Sequence, residues 1–271
     1  MTDQRKPPAG PGGIPEAVRQ AIDAQREFEK RRATRLGRGA ERLTAPVSGV
    51  IGRMIPAGVV RQALRQADRA AGLTIPGELK RHDTDDILAC DRAALRVQSW
   101  SQGGSAATGG AAGWFGAAGL AVDVPATVAL SARCVRATGA AYGFYGDDEG
   151  ERAFRLMVLE VATSMASENR EQAVDGLNAL ARELSSPEAK ILLEKGGKWV
   201  TDKLVERVAR QLGLSLAARK AGQIVPIVGG LVAATVNASF QADVARAARY
   251  AYRQRWLMAR RMLPPPESAS A

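Results

Sequence analysis

Residues 109–130 read GGAAGWFGAAGLAVDVPATVAL, inside a longer stretch from Ser101 to Val122 that holds seven glycines and no charged side chain in 22 residues. Every fourth residue there is small: Ser105, Gly109, Gly113, Ala117, Ala121. Side chains four apart share a helix face, so on a helix this stripe has almost no bulk and another backbone can approach it closely. Glycine in a helix interior costs about 0.5–1 kcal/mol against alanine, so contacts from elsewhere must hold such a helix together. Residues 221–242, AGQIVPIVGGLVAATVNASFQA, are a natural partner. They are also free of charge and carry a small stripe at Gly230, Ala234, Ala238 and Ala242. Two apolar segments with smooth faces predict a closely packed helix pair.

Aromatic residues are only 5% of the 271, while alanine and glycine are abundant, which favours closely packed helices over a β-sandwich. No segment alternates with the period of two that a strand needs. The expectation is an all-α fold of eight to ten helices around a Gly/Ala-rich apolar helical hairpin. The chain divides into a Pro/Gly-rich tail (1–15), a basic helical arm (16–42), a helical domain (43–262) and a C-terminal tail (263–271). The arm begins at Pro15, and its thin stripe of Val18, Ala21, Ile22 and Phe28 suggests loose attachment.

Further helices are expected at Ala57–Ala71, and at Thr84–Trp100, where TDDI supplies an N-cap and early acids. Another follows Pro125 and ends at Tyr142–Gly143. GDDEG (146–150) is an acidic turn able to cap the helix Glu151–Ser167, or less favourably to hold a cation. Glu171–Leu184 is amphipathic, Ser186–Pro187 starts another helix, and Gly196–Gly197 is expected to interrupt it. Residues Gln241–Arg261 form a cationic helix.

The formal net charge is +10. Residues 1–100 hold 18 basic and 12 acidic side chains, 101–200 hold 9 and 12, and 201–271 hold 11 and 4. Basic ends suit solubility, an anionic membrane surface or nucleic acid. The first residues have no apolar core of the secretory kind, and two cysteines make no disulfide framework, so the expected location is cytoplasmic, extending to the inner face of the membrane.

Catalytic signatures are missing. His82 is the only histidine, which rules out a histidine-pair zinc site and reads as a surface or capping residue. There is no nucleophile elbow, phosphate loop or dinucleotide fingerprint, so no cofactor or metal is expected. Cys90 and Cys134 read as core. Asp123 stands out, because a carboxylate within an apolar run is costly unless paired or hydrogen-bonded. It reads first as an N-cap for the helix that Pro125 helps to begin, and second as a buried acid/base group. Asn237, its counterpart in the second run, reads as an amide fixing helix register.

As one straight helix each run would extend about 33 Å, against a hydrocarbon core of about 30 Å. The weak apolarity of glycine and alanine, with Asp123, Pro226 and Asn237 close by, makes a core hairpin the first expectation. Peripheral insertion comes second and a constitutive span third. On the cationic helix, Arg246, Arg249, Arg253 and Arg260 lie beside Tyr250 and Trp256, a mixture that suits the headgroup layer of an anionic membrane and equally a solvated basic face over core aromatics. With Trp114 and Phe115 of the first run, these are the candidate lipid- or partner-binding residues.

The pieces GLAVDVPATVAL (119–130), AAYGF (140–144) and IVPIVGGLVAATVNASF (224–240) resemble the EcsC family of bacterial proteins, over roughly Pro46 to Arg261. The motif is a Gly-rich run, here Gly109, Gly113 and Gly116, ending in Asp123-x-Pro125. Tyr142–Gly143 follows about twenty residues later, then a distal Pro226-x-x-Gly229 with Asn237 behind it. The family takes its name from the third member of an operon encoding an ABC transporter linked to secretion and protein processing. The resemblance implies a helical fold and a membrane or transporter connection, and it carries over no catalytic residue. The resulting expectation is a non-enzymatic, membrane-peripheral accessory protein whose partner is anionic lipid or a membrane protein such as a transporter. A hydrolase using Asp123 and a nucleic-acid-binding protein are the alternatives, nucleic acid being the less favoured partner.

Overall fold

The computed structural model describes residues 15–30, 57–113, 120–164, 167–185, 187–220 and 229–263. The helices in chain order are α1 (Glu16–Lys30), α2 (Ala57–Leu73), a 3-10 turn (Gly77–Lys80), α3 (Ile87–Gly113) and α4 (Leu120–Ala141), then α5 (Glu149–Thr163), α6 (Ser167–Glu183), α7 (Pro187–Lys220) and α8 (Gly229–Ala259). The fold is all-α, with no strand among the described residues. Trp114, Phe115, Gly116 and Pro226 lie outside these residues, as do the tails at 1–14 and 264–271 and the arm beyond Lys30.

Polar signals set several boundaries. Asp86 caps α3, its Oδ1 accepting from the Leu88 N–H at 2.9 Å, and Asp148 caps α5 by accepting from the Glu151 N–H at 2.8 Å. The acidic turn is therefore used as a cap, and Asp147 is engaged by Arg136 at 3.0 Å and Arg155 at 3.1 Å. Helix α4 stops where the Phe144 N–H reaches back to the Gly139 carbonyl (2.9 Å) and the Gly143 N–H to Ala140 (3.1 Å). Gly143 turns there with φ +85, a conformation cheap only for glycine. The same double bond ends α8, from Met262 to Leu257 and from Arg261 to Met258, but the left-handed residue is Arg261 (φ 54).

Directions follow from side-chain pairs. Asp123 meets Asn237, and Thr127 and Ser131 meet Gln241, so α4 and α8 run in parallel from a shared end. Asp91 near the start of α3 meets Tyr142 just past α4 and Arg253 late in α8, so α3 is antiparallel to both. The two charge-free runs therefore enter the same end of an α3–α4–α8 stack. Among the described residues, the contact between α3 and α8 is the most extensive. Ser105 and Gly109 of the first stripe are buried, as a close approach requires.

Helix α8 forms the core. Phe240, Val244, Ala248, Tyr250, Tyr252, Trp256 and Leu257 are all buried on it, and α1, α3, α4, α5 and α6 pack around it. Burying one large apolar side chain contributes about 1.5–3 kcal/mol, so this helix carries a large share of the hydrophobic stabilisation.

Several expectations need correction. The arm is docked: Val18, Ala21 and Ile22 join the core, Phe28 stacks on Tyr250 at 4.4 Å, and Gln25 Nε2 donates to the Tyr250 carbonyl at 2.9 Å. Helix α3 does not end near Trp100 but runs through the glycines to Gly113, supported along its length by α8. Nor do Gly196 and Gly197 interrupt α7. A Cβ on Gly197 would lie 2.9 Å from Glu149 Cβ, so that glycine permits close packing against α5. The second stripe is only half-buried at Ala234, Ala238 and Ala242, and Asn237, Gln241 and Val244 form the inner face instead.

Candidate functional site

The residues of the Asp-Pro, Tyr-Gly and Asn motif come together in two polar clusters on the same three helices. At the shared end of α4 and α8, Asp123 is 1% exposed and its Oδ1 accepts from Asn237 Nδ2 at 2.9 Å. One turn deeper, Gln241 Nε2 donates to Ser131 Oγ (2.9 Å) and to the Thr127 carbonyl (3.3 Å). Helix α4 starts at Leu120, so Asp123 lies within its first turn, near the positive end of the helix dipole, and not at the N-cap position expected for it. Its bond to Asn237 runs sideways to α8. That bond is where the structure places Asn237, across from α4.

At the opposite end, the Tyr142 hydroxyl donates to Asp91 Oδ1, which also accepts from Arg253 Nε at 3.0 Å and Nη2 at 2.7 Å. Burial holds the Tyr142 hydroxyl protonated, well above the ordinary phenol range. Close by, Arg255 and Glu151 form a bidentate pair at 2.7 and 2.5 Å, with the guanidinium 4.3 Å from the Phe144 ring centre and 5.1 Å from Phe154. The side chains of this pair are 4% and 5% exposed, so it is a truly buried ion pair. Trp256 Nε1 donates to the Thr84 carbonyl at 2.8 Å, and Arg260 bonds Asp85 and lies 4.0 Å over the Trp256 ring. His82 Nε2 sits 2.7 Å from the Ala141 carbonyl, tying the segment before α3 to the end of α4.

The helix expected to offer arginines and aromatics to a headgroup layer thus holds most of them inside. Tyr250, Arg253 and Trp256 are buried, Tyr250 against Phe28 and Glu29 of α1, Arg253 on Asp91 of α3 and Trp256 on the Thr84 carbonyl, so this fold does not present them on its surface. Arg246, Arg249 and Arg260 are half-buried. Sequence reading passed over Asp91 and gave Glu151 and Gln241 only as helix starts. A signal for the first was available: Asp91 is four residues after Ile87 and three before Ala94, on the apolar face of its own helix, where an acid needs a partner.

Between α2, α4 and α5 a small pocket is lined by Leu64, Asp68, Ala132, Val135, Arg155, Leu156 and Leu159. Its charges are already matched, Arg155 donating to Asp68 at 2.7 and 3.1 Å and Arg152 adding a bond at 3.2 Å. Burial pushes the Cys90 thiol up to about 12 and that of Cys134 to about 11, which keeps both as core thiols. No group of three or more potential metal ligands occurs among the described residues. The polar clusters hold helices together.

No curated protein and no solved structure matches the chain. The EcsC protein family does match, over residues 16–257, reaching further towards the N-terminus than the motif pieces and taking in the docked α1. The chain belongs to the EcsC protein family.

Proposed function

We propose that this protein is a non-enzymatic, membrane-peripheral accessory protein of the cytoplasmic face. It binds anionic lipid or a membrane protein of the kind that serves an ABC transporter or secretion. The observation that supports this reading is the convergence of both charge-free runs on one end of the α3–α4–α8 stack, where Val122 is 73% exposed. Leu214, 60% exposed, lies on the last part of α7, which leads towards that end.

No helix among the described residues is long and apolar enough to cross a membrane, so the contact in this reading is superficial. A few exposed valines and leucines contribute about 1.5–3 kcal/mol each when buried. That is marginal for anchoring, and the net charge of +10 supplies the rest, at about 1 kcal/mol per basic residue near an anionic surface.

Flotation of the purified chain with anionic and neutral vesicles, at low and high salt and with a duplex-DNA shift in parallel, tests the proposal. The expected result is flotation with anionic vesicles that partly survives high salt, and that Val122→Asp with Leu214→Asp makes fully salt-sensitive. Absence of flotation under every condition overturns it, and a salt-sensitive DNA shift without flotation favours nucleic acid instead.

A further inference from the structure

Three guanidinium groups on α8, those of Arg246, Arg249 and Arg253, are spaced three and four residues apart and so share one face. Two of them have carboxylates. Arg253 holds Asp91, and Arg246 holds Asp243 at 2.7 Å while also bonding the Ala242 carbonyl at 3.1 Å. Arg249 lies between them, half-buried, and makes no hydrogen bond or ion pair among the described residues. Desolvation pushes its guanidinium below the usual arginine range, Arg253 and Arg246 add to this, and Tyr142 and Asp91 only partly offset it. An arginine that snorkels into water is not desolvated in this way. On α6, Arg170 is also desolvated, near Arg246 and Asp243, with its guanidinium 4.6 Å over the Phe28 ring and its Nη1 on the Val161 carbonyl at 3.2 Å.

We propose that Arg249, flanked by Arg246, anchors an anion site on the outward face of α8 that takes a phosphate group. A half-buried cation without a carboxylate is unfavourable alone and is completed by a ligand of opposite charge. The guanidinium fork matches phosphate oxygens with two parallel bonds, and Arg246 supplies a second positive charge one turn away. The phosphate comes from a lipid headgroup or from a free phosphate ester. The lipid form rests on the membrane-peripheral reading, whereas the free form does not.

The test uses the full chain, wild type and Arg249→Gln, in two arms. In the first, thermal unfolding is followed in inorganic phosphate and in chloride at equal ionic strength. In the second, flotation uses phosphatidylglycerol vesicles. Phosphate raises the wild-type midpoint and leaves that of Arg249→Gln unmoved. In chloride the variant unfolds at the wild-type temperature or above it, since an uncompensated charge has been removed. Its apparent affinity for vesicles falls about tenfold or more, the loss of one charge-assisted bond. A variant that is less stable in chloride and still responds to phosphate makes Arg249 a structural arginine and overturns the proposal. If both proteins float equally and neither responds to phosphate, this site falls and the membrane reading stands. If neither floats but phosphate still stabilises through Arg249, the site stands and the membrane reading falls.

Discussion

At one end of the α3–α4–α8 stack, Asp91, Tyr142 and Arg253 share one carboxylate oxygen, with the Glu151–Arg255 pair close by; at the other, Asp123 meets an amide and Gln241 meets a hydroxyl and a carbonyl. Both ends are buried and both join helices distant in sequence, but they respond differently to loss of a partner. A buried ion left alone carries its whole desolvation penalty, whereas a neutral group left alone carries far less. The charged end is accordingly the lock of the fold. The smooth end, lined by small residues and held by mostly neutral bonds, is the end that can separate at lower cost.

The strongest way to break this contrast is Glu151→Gln. It strands Arg255, which is 3% exposed, and is expected to cost about 3–5 kcal/mol, seen as a lower urea midpoint. Adding Arg255→Met should return much of that loss; a single variant as stable as the wild type would show that the pair is not the lock. Gly139→Ala tests packing at the same end. A Cβ there would sit 2.7 Å from Tyr252 Cζ, so overpacking should cost about 1–3 kcal/mol by the same measurement.

The smooth end is sharpened by a pair of changes at Asp123. Asp123→Ala leaves the Asn237 amide without this acceptor and should cost about 1–2 kcal/mol, while Asp123→Asn keeps an acceptor and should cost less than about 1 kcal/mol. Equal losses from both would mean that the charge itself matters there, and would bring the hydrolase alternative back into view. The smallest effect has the opposite sign. Arg261→Gly relieves a left-handed residue in the turn after α8 and should raise stability by about 1 kcal/mol in thermal unfolding; an unchanged or lower midpoint would show that the turn carries no such strain.

Much of the architecture was legible in one dimension. Aspartate caps, Pro187, and Gly143 mark helix ends because the chemistry of an end is local: an orphan N–H needs an acceptor within three residues. The glycines misled where their reason was not local. Gly197 resembles a break, but it is small because Glu149 of α5 lies against it, and nothing near position 197 announces that neighbour. Asp123 misled in the same way. Its proline two residues on suggests a cap, while its amide partner is 114 positions away.

The sequence by itself determined that the chain is helical, where most helices begin and end, and that two charge-free runs of small residues would pack together, since periodicity and capping depend on neighbours within a turn or two. Only the tertiary structure decided which arginines are inside. Arg253 reads as a member of a solvated basic face because a lone guanidinium belongs in water, and Arg255 lies on the same cationic helix. They are buried because Asp91 of α3, 162 residues away, and Glu151 of α5, 104 residues away, are brought to meet them. Charge compensation across such separations leaves no periodic trace in the chain. That is why a helix with four arginines could be the core of the fold, while Arg249 on the same helix makes no ion pair among the described residues.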